Sequence, residues 1–209
     1  MAHLILVRHG TSEWNKMGLW TGKANPDLAK EGVLEALKTG TLLKDIKLDF
    51  GFSSVQKRAI DTLVNILSSL SIEIPREENQ ALNERDYGVY TGKNKWEIKE
   101  QVGDEKFKEI RRGWDTKIPE GESLKSVYER VIPYYKEKIE PKIKSDQNVI
   151  IVSSGNALRS LVKYLENLNE EQIANLEFGL AEAYCYELDK EGKIISKEIR
   201  SSNPNKGKM

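Results

Sequence analysis

His3-Leu-Ile-Leu-Val-Arg8-His9-Gly10 opens the chain with an almost unbroken apolar run that ends in charge. A strand with one solvated face alternates apolar and polar residues, whereas a run apolar at successive positions reads as a strand buried on both faces. Asn148-Val-Ile-Ile-Val-Ser153 is a second run of this kind. Between and after them lie helical periodicities over 31–44, 57–70, 124–143 and 157–165, and Phe50-Gly-Phe-Ser53 reads as a short strand. Strands alternating with helices predict an α/β fold, a mainly parallel sheet with helices on both faces.

Toward the other end, 183–188 and 194–199 flank Asp189-Lys-Glu-Gly192 and predict a hairpin, an antiparallel edge near the C-terminus. Residues 71–121, with Pro75, Gly88, Gly92, Gly103, Gly113 and Pro119 among many charges, read as an excursion above the sheet. No internal repeat and no linker divides the chain, so 1–200 are expected to form one domain. The stretch Ser201-Ser-Asn-Pro-Asn-Lys-Gly-Lys-Met209 offers nothing to bury and is expected to be a mobile tail.

The 209 residues suffice for one sizeable core, and 33 basic residues cancel 33 acidic ones. No overall field then draws the molecule to nucleic acid or to an anionic membrane, and any anion site must be local. A single cysteine, Cys185, excludes an internal disulfide, and two histidines, His3 and His9, cannot assemble a Cys/His metal cluster. Leu4 to Val7 is too short for a signal-peptide core, and no apolar run is long enough to span a bilayer. A soluble, cytoplasmic protein is expected. No G-x-x-x-x-G-K-[ST] or G-x-G-x-x-G is present, so a nucleotide reading has no support.

In an open parallel sheet, ligands lie beyond the carboxyl ends of the strands, which is where Arg8-His9-Gly10-Thr11 falls. A histidine ring nitrogen can attack phosphorus while a neighbouring guanidinium holds the phosphate oxygens. Gly10 lets the backbone approach closely. The tripeptide alone is a weak signal. A longer series strengthens it: Arg8-His-Gly-Thr-Ser-Glu-Trp-Asn15, Thr21-Gly22, Ser54-Val-Gln-Lys-Arg58, Leu82-Asn-Glu-Arg-Asp-Tyr-Gly88, Gly92-Lys-Asn-Lys95, Arg111-Arg112, Gly121-Glu-Ser-Leu124 and Gly155-Asn-Ala-Leu-Arg159, in this order.

In these segments the chain resembles the cofactor-dependent phosphoglycerate mutases of the histidine phosphatase superfamily, from Leu4 to about Ile199, and is similar to their shorter members. The resemblance implies that His9 is the residue phosphorylated, with Arg8 and Arg58 around the transferring group and Ser12 and Asn15 also binding it. It implies Glu84 as general acid and base. Arg85, Tyr87, Lys95, Arg111 and Arg112 would grip the substrate's carboxylate and second phosphate, with Thr21, Gly22, Gly155 and Asn156 as further substrate-binding positions. The implied substrates are small phosphorylated three-carbon acids, 3-phosphoglycerate and 2-phosphoglycerate. The priming phosphoryl donor would be 2,3-bisphosphoglycerate, with no metal and no nucleotide. Trp14, Trp20, Trp96 and Trp114 read as packing or rim residues. Oligomeric state stays open, a homodimer being one possibility.

The pattern breaks in two places. The family's second signature is normally alanine-histidine-glycine-asparagine; here it stands as Ser153-Ser154-Gly155-Asn156, so Ser154 takes the place of the second active-site histidine. His3 cannot substitute, lying six residues before His9 on the same strand, about 20 Å away. Loss of a preorganised donor comparable to an oxyanion-hole group predicts an impairment of about a hundred- to a thousandfold. Phe178-Gly-Leu-Ala-Glu182 also departs, where the mutases usually show a threonine-glycine pair. Two other functions remain open on these grounds: a phosphatase of the same superfamily, and a catalytically silent binder of phosphorylated metabolites or of a protein partner.

Overall fold

A computed structural model describes residues 1–202. Its elements, in chain order, are β1 (Ala2–Arg8), α1 (Glu13–Lys16), α2 (Lys30–Leu42), β2 (Phe50–Ser53), α3 (Lys57–Ser69), β3 (Arg76–Glu78), α4 (Lys95–Val102), α5 (Asp104–Arg112), α6 (Leu124–Tyr134), α7 (Glu140–Lys144), β4 (Val149–Ser153), α8 (Gly155–Leu165), α9 (Glu170–Asn175), β5 (Ala183–Leu188) and β6 (Ile194–Arg200). The expected mobility of the tail falls, from residue 203 on, outside the described residues.

One six-stranded sheet runs in the order β3-β2-β4-β1-β5-β6. β1 and β4 pair in parallel with Arg8 opposite Ser153, and β2 is parallel to both β4 and β3. β5 returns antiparallel beside β1, and β6 pairs antiparallel with β5. The sheet is therefore mainly parallel with an antiparallel edge. Its hairpin turns at Asp189, whose Oδ1 accepts from the backbone N–H of Glu191 at 3.0 Å and of Lys193 at 2.8 Å.

The unbroken apolar runs of β1 and β4 follow from helices on both sides. Leu4, Leu6, Val149 and Ile151 pack with Val127 and Val131 of α6 and with Leu158 and Leu161 of α8. The alternate residues Ile5, Val7, Ile150 and Val152 face Ala36 of α2 and Ala59, Leu63 and Ile66 of α3. Every one of these strand residues is completely buried, so neither face can tolerate a polar side chain without a partner.

The single helix expected over 124–143 is interrupted. α6 ends at Tyr134, a wider turn of the π type covers Tyr135–Ile139, and α7 resumes at Glu140. Pro141 cannot donate to the preceding turn and its ring crowds the carbonyl four residues back, which favours such widening. Residues 71–121 hold more regular structure than expected, namely β3, α4 and α5. Their apolar residues form a separate small core of Tyr87, Ile98, Phe107, Ile110 and Ile118 around Trp20. The Trp20 ring lies 4.4 Å from that of Tyr87 and 5.8 Å from that of Phe107.

Candidate active site

The carboxyl ends of β1 and β4 lie side by side, and the backbone N–H of His9 donates to the Ser153 carbonyl at 2.9 Å. His9 is almost fully buried, with its Nδ1 2.7 Å from the Gly10 carbonyl oxygen. A carbonyl only accepts, so Nδ1 carries the proton and Nε2 keeps its lone pair. The Nε of Arg58 donates to that lone pair at 3.2 Å. Burial, and then the positive charges of Arg58 and Arg8, hold the imidazole well below its usual pKa. A neutral imidazole with a bare Nε2 is the form a nucleophile requires.

Close backbone packing sets this position. A Cβ on Gly10 would lie 2.4 Å from the Gly32 carbonyl oxygen, and one on Gly32 would lie 2.1 Å from that of Thr11. The loop after β1 thus rests directly on the first turn of α2. Thr62 of α3 fastens it further, its Oγ1 accepting from the Gly10 N–H at 3.0 Å.

Arg8, His9, Asn15, Thr21, Arg58, Glu84, Tyr87, Lys95, Arg111, Arg112, Gly155 and Asn156, all expected from sequence, line one pocket. Six cationic side chains meet there once Arg159 is included. Burial, reinforced by Arg8 and Arg111, lowers Lys95 to about 8. Burial is also the first cause for Arg58 and for Arg111, each lowered to about 10, with Arg8 adding to it at Arg58 and Arg112 at Arg111. An anion among them would relieve that mutual repulsion.

Glu84 enters the pocket on a loop that Gln56 holds in place. Gln56 Oε1 accepts from the Glu84 N–H at 2.9 Å, and its Nε2 donates to the Gly22 carbonyl at 2.9 Å. The Glu84 carboxylate in turn accepts from Asn156 Nδ2 at 2.9 Å.

Four expected site residues stand elsewhere. Arg85, expected to grip the substrate, lies outside the pocket lining. It is wholly buried, and its guanidinium donates to the carbonyls of Glu122 at 2.6 Å, Ile110 at 3.0 Å and Thr116 at 3.1 Å. Those bonds engage its Nε and both terminal nitrogens and tie the segment 110–122 together. Ser12 also lies outside the pocket lining: its Oγ donates to Asn15 Oδ1 at 2.9 Å and accepts from the Asn15 N–H at 3.3 Å. It caps α1 and thereby orients Asn15. Gly22 contributes its carbonyl to Gln56 and lies outside the pocket lining. Ser154 is fully buried behind the pocket, with its Oγ accepting from Arg58 Nη2 at 3.4 Å.

Trp20, Arg159, Glu177 and Phe178 complete the lining without having been assigned from sequence. Arg159 carries a local signal, sitting one helical turn after Asn156. Glu177 and Phe178 carry none, because long-range folding brings them in. The Phe178 carbonyl accepts from Arg8 Nη1 at 2.6 Å, and Glu177 pairs with Arg112. The departing loop therefore meets the site through the Phe178 backbone oxygen, and Glu177 just before it through its carboxylate.

Fold and pocket together define an α/β protein with a buried, neutral histidine inside a pocket lined by cationic side chains. The family model of the histidine phosphatase superfamily (branch 1) matches residues 4–198, and the chain belongs to that superfamily. A 2,3-bisphosphoglycerate-dependent phosphoglycerate mutase of Cytophaga hutchinsonii is 44% identical over 187 residues, covering 90% of this chain and 88% of the relative. One from Parvibaculum lavamentivorans is 41% identical over 199 residues, covering 94% and 95%. Among solved structures, Bacillus stearothermophilus YhfR is similar with a TM-score of 0.81 at 20% identity, covering 99% of this chain and 98% of that one. A mycobacterial glucosyl-3-phosphoglycerate phosphatase in complex with VO3 gives 0.80 at 20% identity, covering 97% and 99%. At those identities the structures speak for the fold alone.

Proposed function

We propose that this protein interconverts 3-phosphoglycerate and 2-phosphoglycerate through a phosphohistidine at His9, with 2,3-bisphosphoglycerate as the priming phosphoryl donor. The observation that carries the reading is the neutral His9, its Nε2 lone pair facing Arg58 in the same pocket as the Glu84 carboxylate. The names borne by the two relatives above 40% identity support the same reaction. The donor set suits a small polyanion. Arg8 Nε and Arg159 Nε are buried with no hydrogen-bond partner among the described residues, as in a site built to receive anionic oxygens. The priming donor supplies one phosphoryl group to His9.

When Nε2 attacks phosphorus, an N–P bond forms and the P–O bond to the substrate breaks. Glu84 donates a proton to the departing oxygen, and in the reverse step takes one from the hydroxyl that receives the phosphoryl group. Arg8 and Arg58 offset the charge that builds on the phosphoryl oxygens, while Lys95, Arg111 and Arg112 hold the remaining carboxylate and phosphate. Among the described residues no helix is long and apolar enough to cross a membrane. The cytoplasm is the compartment that suits these substrates.

Incubation with 2,3-bisphosphoglycerate should place one acid-labile phosphoryl group on His9, and 3-phosphoglycerate should then convert to the 2-isomer. His9→Ala should do neither. Labelling without isomerisation, but with release of inorganic phosphate, would establish a phosphatase instead. Absence of both would establish a binding protein.

A further inference from the structure

We propose that Arg159 is a positioning residue that, through the side-chain amide of Asn156, fixes which oxygen of Glu84 carries the proton and which way the Tyr87 hydroxyl points. The inference rests on the reading of Glu84 as acid and base.

Arg159 is nearly fully buried on α8, three residues after Asn156 and so on the same helical face. Its Nη2 donates to the Ile173 carbonyl and its Nη1 to Asn156 Oδ1 at 2.9 Å. A guanidinium has donors only, so the amide atom that faces it must be the oxygen. The amide nitrogen is then turned the other way, 2.9 Å from Glu84 Oε1 and 2.9 Å from the Tyr87 hydroxyl. Both amide hydrogens are used.

Two consequences follow. Glu84 Oε1 accepts from Asn156 Nδ2, from the Asn156 backbone N–H at 3.3 Å and from the Arg85 backbone N–H at 2.7 Å. That oxygen is saturated as an acceptor, so Oε2 is the one that exchanges a proton with substrate. The Tyr87 oxygen receives a bond from Asn156, which leaves its own proton to be donated into the pocket. With an apolar residue at 159 only the Glu84 carboxylate would still oppose the Asn156 amide turning over. Its oxygen would then lie against the Glu84 carboxylate, and protonation of Glu84 would relieve the clash.

Charge alone acts on Glu84 as well. Arg8 at the end of β1, Arg58 on α3, Lys95 on α4 and Arg159 itself interact favourably with the carboxylate. On its other side, Lys23, Glu122 and Arg130 line a second cavity with it. Removal of Arg159 therefore subtracts a positive charge besides freeing the amide, and a test must separate the two.

The titration of the Glu84 side-chain carboxyl carbon, followed by NMR without substrate, separates them in a double-mutant cycle. Arg159→Met should raise the midpoint by about one pH unit. In an Asn156→Ala background the same substitution should raise it by a clearly smaller amount, that of the lost charge alone, whereas Arg159→Lys, which retains a donor and the charge, should stay near the parent. Where the methionine variant does not fold, Arg159→Leu makes the same comparison. An unmoved midpoint overturns the proposal, and so does an equal shift in both backgrounds, which would mean direct charge. Lowered thermal stability with no change in midpoint would reduce Arg159 to an anchor for α9. Turnover of 3-phosphoglycerate by the parent tests the mutase reading separately, because the titration requires no catalysis.

Discussion

Arg58 Nε donates to His9 Nε2 at 3.2 Å, so the guanidinium rests on the lone pair that would attack phosphorus. The same side chain donates to the Ala24 carbonyl at 3.0 Å and reaches Ser154 Oγ at 3.4 Å. An arriving phosphoryl group offers better acceptors than an imidazole nitrogen, and a small turn of Arg58 would transfer its bonds to the phosphoryl oxygens and expose His9 Nε2.

Glu84→Gln preserves the shape of the side chain and removes its proton exchange. Substrate binding should remain near the parent, while kcat falls by about 10² to 10⁴. If affinity collapsed and kcat held, Glu84 would be a structural residue.

Gly32→Ala should destabilise the protein although it improves helix propensity. Alanine in place of glycine contributes about 1 kcal/mol within a helix. Here the added carbon would lie 2.1 Å from the Thr11 carbonyl oxygen, and both partners are backbone. Overpacking of about 1 to 3 kcal/mol should outweigh the gain, lowering the urea midpoint. Because Thr11 lies two residues from His9, turnover should fall too. A variant as stable as the parent would show that α2 can shift freely.

Much of this fold is legible in the sequence because β1 and β4 are apolar on both faces, a pattern that fits a sheet covered by helices on both sides. α5 is harder to see, since only Phe107 and Ile110 are buried among many charges. The pocket is legible where a motif places a side chain at a strand or helix end, as with His9, Arg58 and Asn156. It is illegible where the decision is long-range. Arg85 reads like its cationic neighbours until the carbonyls of Ile110, Thr116 and Glu122 are seen to surround it. Glu177 and Phe178 belong to the site only because α9 and the loop after it fold back onto Arg8 and Arg112.

Glu177 pairs with Arg112, and both line the pocket. A substrate carboxylate or phosphate must compete with that pairing. Glu177→Gln should lower KM for 3-phosphoglycerate by about two- to fivefold, the range of a partly exposed ion pair, with kcat little changed. A raised KM would mean that Glu177 holds Arg112 in its binding position.

Lys95 gives the site a basic limit. Burial beside Arg8 and Arg111 lowers it to about 8, so above that pH the ammonium is lost and the pocket carries one positive charge fewer. The kcat/KM for 3-phosphoglycerate should therefore decline as pH rises through about 8. In Lys95→Arg the decline should move well upward, because a guanidinium keeps its charge. Lys95→Met should show a lower value without that limb. An identical basic limb in all three proteins would assign it to another group.

Ser154 stands at the end of β4 as the N-cap residue of α8, yet its Oγ makes no capping bond and instead meets Arg58 Nη2 at 3.4 Å. A hydroxyl is a neutral donor and shorter than an imidazole, so its reach toward a phosphoryl group on His9 would require a bridging water. Because Arg8 and Ser153 are paired in parallel register, a longer side chain at 154 would extend alongside His9. Ser154→His should then regain a charge-assisted bond to the phosphoryl oxygens and raise turnover by about tenfold or more. The comparison is the initial rate from 3-phosphoglycerate with saturating 2,3-bisphosphoglycerate, for both proteins in parallel. A large gain would mean that the serine limits an otherwise intact mutase. Equal and substantial rates would mean that Arg58, turned toward the phosphoryl group, already supplies what the histidine would. No activity in either protein would remove the mutase reading and leave a phosphatase or a binder of phosphorylated acids, which release of inorganic phosphate would distinguish.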